Sequence, residues 1–135
     1  MSLSIQIMTP DKIFLKKEVE EIILPTNTGQ IGILKNHAPL ITALDIGVLL
    51  LRSQNKWIPI ALMGGFALIK KNQVTILVNE AESAETMNPE NVQKTFGEAK
   101  EKLEQAATPK EKVEANFIFK REKARYQVIF QTKTN

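Results

Sequence analysis

The sequence predicts an α+β chain, with an all-β domain, sandwich or barrel, over residues 1–86 and an antiparallel two-helix hairpin over residues 87–135. Three observations carry this. Apolar runs of four to six residues, rich in β-branched side chains, alternate with turn residues as far as residue 85, the pattern of many short strands. At Asn88-Pro89 that rhythm stops, because asparagine caps free helix amides and proline is preset for a first helical turn. Beyond it apolar residues recur every three or four positions, with one restart at Thr108, the spacing of helices that bury one face.

Each element has its own warrant. Leu3, Ile5 and Ile7 alternate with polar neighbours, as a half-buried strand does. Val19 to Leu24, Val48 to Arg52, Trp57 to Leu62, Gly65 to Ile69 and Val74 to Val78 follow as further strands. Ser53 to Lys56 and Lys71-Asn72 read as hairpin turns. Pro59 lies inside an apolar run and marks an edge or a bulge, since it cannot donate to a ladder. In the first helix Val92, Phe96, Ala99, Leu103 and Ala106 form one narrow stripe. Gly97 interrupts it, at roughly 1 kcal/mol against alanine. Close packing or a need to change conformation explains it equally well. Thr108-Pro109-Lys110-Glu111 is a capping box, threonine and glutamate each satisfying the other's amide. Val113, Phe117, Ala124 and Val128 continue the stripe after a turn at Ala107–Pro109, with a gap at Lys120 and Arg121. Tyr126 to Gln131 alternates like a strand but is read here as helix fraying into a polar tail. Two thin stripes bury too little for the hairpin to stand alone. It must lean on the β domain or on a partner.

Composition narrows the chemistry. An apolar fraction of 43% supports a true core, and 24% charged residues suit a soluble protein. With no cysteine there is no disulfide, thiolate nucleophile or sulfur-based metal site. No apolar run reaches the length of about 18 residues that a spanning helix needs. The opening Met1-Ser2-Leu3-Ser4-Ile5-Gln6 has neither a secretory nor a transit pattern, so the chain is expected to act where it is made or in a compartment with its own ribosomes. Net charge is +3. Residues 1–88 hold eight basic and eight acidic side chains, residues 89–109 three and four, and residues 110–135 seven and three. The excess therefore sits in the last helix and points to an acidic partner, unless it is only a solvated face.

No catalytic arrangement emerges. His37, the single histidine, has no serine–acid pair or second histidine to work with and reads as a structural imidazole in a loop. Asp11 and Asp45 are turn residues without paired-carboxylate spacing. Gly29-x-x-Gly32 and Met63-Gly64-Gly65 lack the lysine and serine or threonine of a phosphate loop and the helix start that follows one. Metal binding fails for want of ligands. A nucleic-acid or ribosome-associated module is the rival reading, resting on the basic tail. Against it, Phe14, Trp57 and Phe66 in the β region form no base-stacking pair. An interaction protein remains, with Ile31, Ile33, Leu34, Leu40 and Ile41 as an apolar patch for a partner.

The wording of one segment is more specific. Gly29-Gln30-Ile31-Gly32-Ile33-Leu34-Lys35-Asn36-His37-Ala38-Pro39-Leu40 closely resembles a recurring phrase of the ε subunits of F-type ATP synthases. The likeness continues through Asp45 to Leu49 and Ala61 to Ala67. The second phrase is similar to the chloroplast and cyanobacterial branch. The resemblance covers the whole chain, strongly over residues 1–85 and more weakly over the helices.

That resemblance implies a ten-stranded antiparallel sandwich at the foot of a central stalk and a regulatory C-terminal hairpin. The implied role is a non-catalytic rotor subunit that binds the γ subunit, sits on the membrane-embedded c-ring, couples ring rotation to ATP synthesis and restrains ATP hydrolysis. The implied c-ring-facing loop comprises Thr26, Thr28, Gly29, Gln30, Ile31 and Gly32, with His37, Leu40 and Ile41 beside it. Gln30 stands where several bacterial members carry an acid. Lys120, Arg121, Lys123 and Arg125 match the basic helix that meets acidic segments of the catalytic β subunits in the inhibited state. Bacterial members that bind ATP carry an Ile-Asp-x-x-Arg-Ala phrase. Here Met87-Asn88-Pro89-Glu90-Asn91-Val92 stands in its place, and the lost arginine removes the main attraction for a triphosphate. No cofactor, metal or nucleic acid is expected. The implied location is peripheral to a thylakoid membrane, on the stromal side in a chloroplast or the cytoplasmic side in a cyanobacterium. Lysine- and asparagine-rich wording leans toward a plastid genome.

Overall fold

The structure is a computed structural model and describes residues 2–130. Eight strands come first: β1 (Leu3–Thr9), β2 (Lys12–Val19), β3 (Glu21–Thr26), β4 (Gly29–Leu34), β5 (Leu40–Ser53), β6 (Lys56–Lys70), β7 (Gln73–Val78) and β8 (Ala81–Ser83). A single 3₁₀ turn at Ala84–Thr86 leads into α1 (Pro89–Gln105) and α2 (Pro109–Phe130). The strands pair in the order β2-β1-β7-β6-β5-β3-β4, with β8 on β6, and fold over one core as a β-sandwich.

Eight strands and the ten implied by resemblance are reconciled at one place. β5 and β6 are paired from Leu40↔Ile69 to Ser53↔Lys56, but between Leu44↔Gly65 and Ile46↔Met63 the ladder is interrupted at Asp45 and Gly64. Gly64 (φ 78°) and Gly65 (φ 148°) carry the bend, in backbone regions that side chains disfavour. Each long strand thus serves as two segments, one on either side of the bend. The sheet departs from strict antiparallel pairing once, where β1 runs parallel to β7 from Ser4↔Gln73 to Met8↔Leu77.

Alternation builds the core. Leu3, Ile5, Ile7, Ile22, Leu24, Leu49, Leu51, Ile60, Leu62, Ile69 and Ile76 are essentially inaccessible, each worth about 1.5–3 kcal/mol of burial. A second cluster lies on the outer side of β5 and β6, where Val48, Ala61 and Met63 meet Met87, Val92, Ala124 and Val128. Residues 46–51 and 58–63 are buried on both faces and read as continuous apolar runs, as doubly covered strands do. The hairpin therefore leans on the sandwich through α2.

The expected turns and caps are in place. Gln54 and Asn55, and likewise Lys71 and Asn72, adopt positive φ between 51° and 63°, as two-residue hairpin turns require. Pro59 sits one residue outside the β8 pairing, where β6 is paired with β5 alone among the described residues. Asn88 accepts from the Asn91 amide at 3.1 Å. Thr108 and Glu111 exchange bonds of 2.9 and 3.1 Å, which lowers the Glu111 carboxyl through the Thr108 amide first and its hydroxyl second. Tyr126 to Phe130 are helical, and Gln131 onward lies outside the described residues.

Three expectations need correction. Lys12–Val19, absent from the expected strands, is the strand β2, and Gly29–Leu34, whose first four residues the resemblance places in a loop, is the strand β4. Val113 and Phe117 are not covered: they are 71% and 55% exposed. By spacing they share a face with Ala124 and Val128, but only the second half of α2 rests on the sandwich. Phe96 stacks on Phe119 at 5.8 Å and on Tyr126 at 4.4 Å, not on Phe117. The α1-facing stripe of α2 is thus Ala115, Phe119, Glu122 and Tyr126, at helical spacings of four and three.

Candidate functional site

On the other side of the bend, the outward face of the sheet is uncovered among the described residues. Register places Ala43 opposite Phe66, Phe66 opposite Leu77, Leu77 opposite Met8 and Met8 opposite Ile13. This is one row of apolar side chains across five strands. With neighbours about 4.5–5.5 Å apart, the row spans roughly 20 Å. Phe66 is 59% exposed, Ile13 55% and Leu77 47%. A second pair, Ile41 (73%) opposite Leu68 (44%), lies beside it. A groove of about 590 Å³ runs along the row between Phe66, Leu77 and Ile13, with Lys12 and Asp11 at its rim. These side chains face outward because Ala67, Ile69, Val74, Ile76 and Val78 fill the inner positions of β6 and β7.

The predicted patch overlaps this face only in part. Leu34 and Ile41 are exposed, but Ile33 is fully buried and Ile31 and Leu40 pack on the core. A strand at Gly29–Leu34 turns alternate residues inward, which a loop would not. Phe66, Leu68, Leu77 and Ile13 were missed. Their signal was available in β6, where residues 66–69 are as continuously apolar as residues 58–63.

The structure also separates residues predicted to lie side by side. Thr26, Thr28, Gly29 and Gln30 form the tip of the β3–β4 hairpin, where the Thr26 hydroxyl donates to the Gly29 carbonyl. Asn27 to Gln30 are exposed. Ile31 and Gly32 belong to β4. His37 lies beyond the far end of that strand, about 17 Å of extended chain away. There the Asn36 amide donates to Asn72 Oδ1 at 2.6 Å, tying this connection to the β6–β7 turn. The His37 ring Nδ1 donates to the Ala38 carbonyl at 2.6 Å. Asp11 accepts from Thr9 within its own turn. Among the described residues no cluster of histidine, aspartate and glutamate could hold a metal, and no helix is long and apolar enough to cross a membrane.

The basic helix is paired within the chain. Arg125 grips Glu82 with Nε and Nη2 at 2.8 and 3.2 Å, and donates Nη1 to Glu122 at 2.8 Å. Arg121 donates Nη1 to the other Glu122 oxygen at 2.7 Å and reaches Glu80 at 3.4 Å. Lys120 stands 3.5 Å from Asp45. Lys123 lies over the Phe119 ring instead. Glu122 is buried. Burial pushes its carboxyl up, but bonds from Arg125 and Thr95 and the nearby Arg125 and Arg121 charges outweigh that, and the net shift is downward. The Glu82 bond raises Arg125 in turn, against its own burial.

With a large apolar face left uncovered among the described residues, the fold and its surfaces define a subunit built to be held by others. Residues 2–84 match the family described as "ATP synthase, Delta/Epsilon chain, beta-sandwich domain". The chain is 68% identical over 129 residues to the chloroplastic ATP synthase epsilon chain of Oltmannsiellopsis viridis, covering 96% of this chain and 98% of that one. It is 64% identical over 131 residues to the chloroplastic epsilon chain of Chlorella vulgaris, covering 97% and 98%. Its fold matches a chain of the Euglena gracilis mitochondrial ATP synthase OSCP/F1/c-ring assembly with a TM-score of 0.79 at 23% identity, covering 92% of this chain and 79% of that one. The chain belongs to the ATP synthase delta/epsilon family, as an epsilon chain of the chloroplast type and a non-catalytic subunit of the synthase. The rival reading as a nucleic-acid module has no support: Lys120, Arg121 and Arg125 face this chain's own acids.

Proposed function

We propose that this subunit sits in the central stalk with its uncovered sheet face against the γ subunit and the β3–β4 tip toward the c-ring. It thereby couples ring rotation to ATP synthesis, while the hairpin restrains ATP hydrolysis through the catalytic β subunits. The observation that carries this reading is the apolar row from Ala43 to Ile13. Among the described residues, the same kind of two-sided strand is covered by α2 on one side of the bend and by nothing on the other. Exposed contiguous apolar surface of this extent marks an interface. The exposed polar tip, Asn27 to Gln30, suits contact with a second, more polar surface. A fold match to a Tetrahymena thermophila chain described as central stalk and c-ring, with a TM-score of 0.61, accords with this placement in architecture. In a chloroplast the subunit is then peripheral to the thylakoid membrane on its stromal side.

The test is reconstitution of the complex with the full chain and with a chain stopped after Glu85. The truncated chain keeps the apolar row and is expected to bind γ, while hydrolysis rises. Unchanged hydrolysis would exclude the hairpin as the restraining element. Loss of γ binding would exclude the sheet face as the contact.

A further inference from the structure

We propose that Glu82, Glu122 and Glu80, with Asp45, form an internal latch that sequesters Lys120, Arg121 and Arg125 of α2, so these three cations reach an external acidic surface only after the pairs exchange. The proposal deepens the reading of α2 as a restraining element and rests on it for its consequence, though not for its geometry. Lys120, Arg121 and Arg125 each face an acid of the sandwich or of its β7–β8 connection, namely Asp45, Glu80 and Glu82. Glu122 bridges the two arginines from within the helix. All buried side-chain polar atoms among the described residues have partners, so docking leaves no buried charge of the helix unpaired.

The apolar grip beneath is carried by Ala124 and Val128, with Tyr126, Ile129 and Phe130 packed half-buried beside them. Apolar contact of this kind is non-directional, so ion pairs fixed by a bidentate arginine set the register of the helix on it. Arg125 is the central tooth, with its side chain 14% exposed and three donors committed. An external carboxylate could take the same fork only by displacing Glu82. Docking on the sandwich and binding an acidic partner are thus competing states of one side chain.

The chain has no cysteine, so Val128→Cys, placed under α2 at a site 4% exposed, is a clean reporter of undocking in the isolated full chain. Relative to that background, Glu82→Gln is expected to raise the rate of modification by an aromatic disulfide about tenfold, the effect of losing one charge-assisted pair. Arg125→Lys keeps the charge but loses the fork, and is expected to give a smaller increase. Glu80→Gln, on a side chain 59% exposed and 3.4 Å from its partner, should change the rate less than twofold. Trp57 fluorescence reports that the sandwich stays folded. If Glu82→Gln and Arg125→Lys both leave the rate within twofold, the latch is overturned. In the reconstituted complex, without the reporter, Glu82→Gln should deepen the restraint on hydrolysis. Faster modification without deeper restraint would uphold the latch and overturn the role assigned to α2.

Discussion

Phe66→Thr tests the docking face directly. The residue is 59% exposed. On a side chain that buries about 150–250 Å² when covered, roughly 90–150 Å² is left for a partner to shield. At about 25 cal/mol per Å² this is roughly 2–4 kcal/mol. The central position in the row, between Ala43 and Leu77, is where binding energy concentrates in an interface. Threonine keeps a β-branched side chain on the strand, and loss of cross-strand contacts costs about 0.2–1 kcal/mol of folding stability. Binding to the γ subunit, followed by calorimetry at fixed ionic strength, should weaken by a factor of about 30 or more. The unfolding midpoint should barely move. Phe117→Thr, on α2 outside the row and 55% exposed, is the matched control and should leave γ binding within twofold. A loss below threefold for Phe66→Thr with unchanged stability would mean that the row does not face γ.

Three further outcomes follow from the geometry. Gly65→Ala would drive a Cβ into the Leu77 carbonyl oxygen and the Val78 side chain at a φ of 148°. Strain of about 1–3 kcal/mol and overpacking of about 1–3 kcal/mol are each large against a total stability of about 5–15 kcal/mol. Gly29→Ala, whose Cβ meets nothing, bears the strain alone, and urea unfolding that ranks the two equally would disprove the account. The lowered Glu122 carboxyl, whose partners Arg125, Thr95 and Arg121 all lie on the two helices, gives the folded hairpin a stabilisation that is fully present above the ordinary glutamate value of about 4.3 and is lost as pH falls through its lower folded value. Modification of the Val128→Cys reporter should accelerate in that window, and Glu122→Gln should flatten the profile; superimposable profiles would exclude Glu122 as the titrating group. Glu111 is also lowered, but it lies at the hairpin turn and is separated by Glu111→Gln. Calorimetric titration of the isolated chain with ATP should show no binding at micromolar concentrations, since Asn91 offers no cation to a triphosphate and the Asn88 side chain is already taken up in capping the Asn91 amide.

Much of this fold was legible because local chemistry dictates it. Asparagine tolerates left-handed backbone, so Asn55 and Asn72 announced their turns, and the boxes at Asn88 and Thr108 announced both helices. β2 was not legible, because Lys16, Lys17 and Glu18 are exposed on a sheet edge, where charge guards against further pairing and hides the strand's pattern. The latch was illegible for a different reason. Arg125 finds Glu82 at a separation of 43 residues and Arg121 finds Glu80 at 41, so the tail's basic excess looked free until topology brought its acids beneath it.

That difference bears on how the two surfaces work. The apolar row has no internal competitor among the described residues: none of them must move before a partner covers it, so contact there is suited to permanence. Lys120, Arg121 and Arg125 start from a paired state, and any external partner gains only the difference between its own pairs and those it breaks. Exchange of equivalent ion pairs has a small net free energy, which lets modest changes in partner or conditions shift the balance. On this reading a permanent anchor and a conditional restraint occupy opposite sides of one bend in β5 and β6. The Asp45–Lys120 pair joins the bend itself to the helix, so a variant that breaks it should affect restraint and leave anchoring intact.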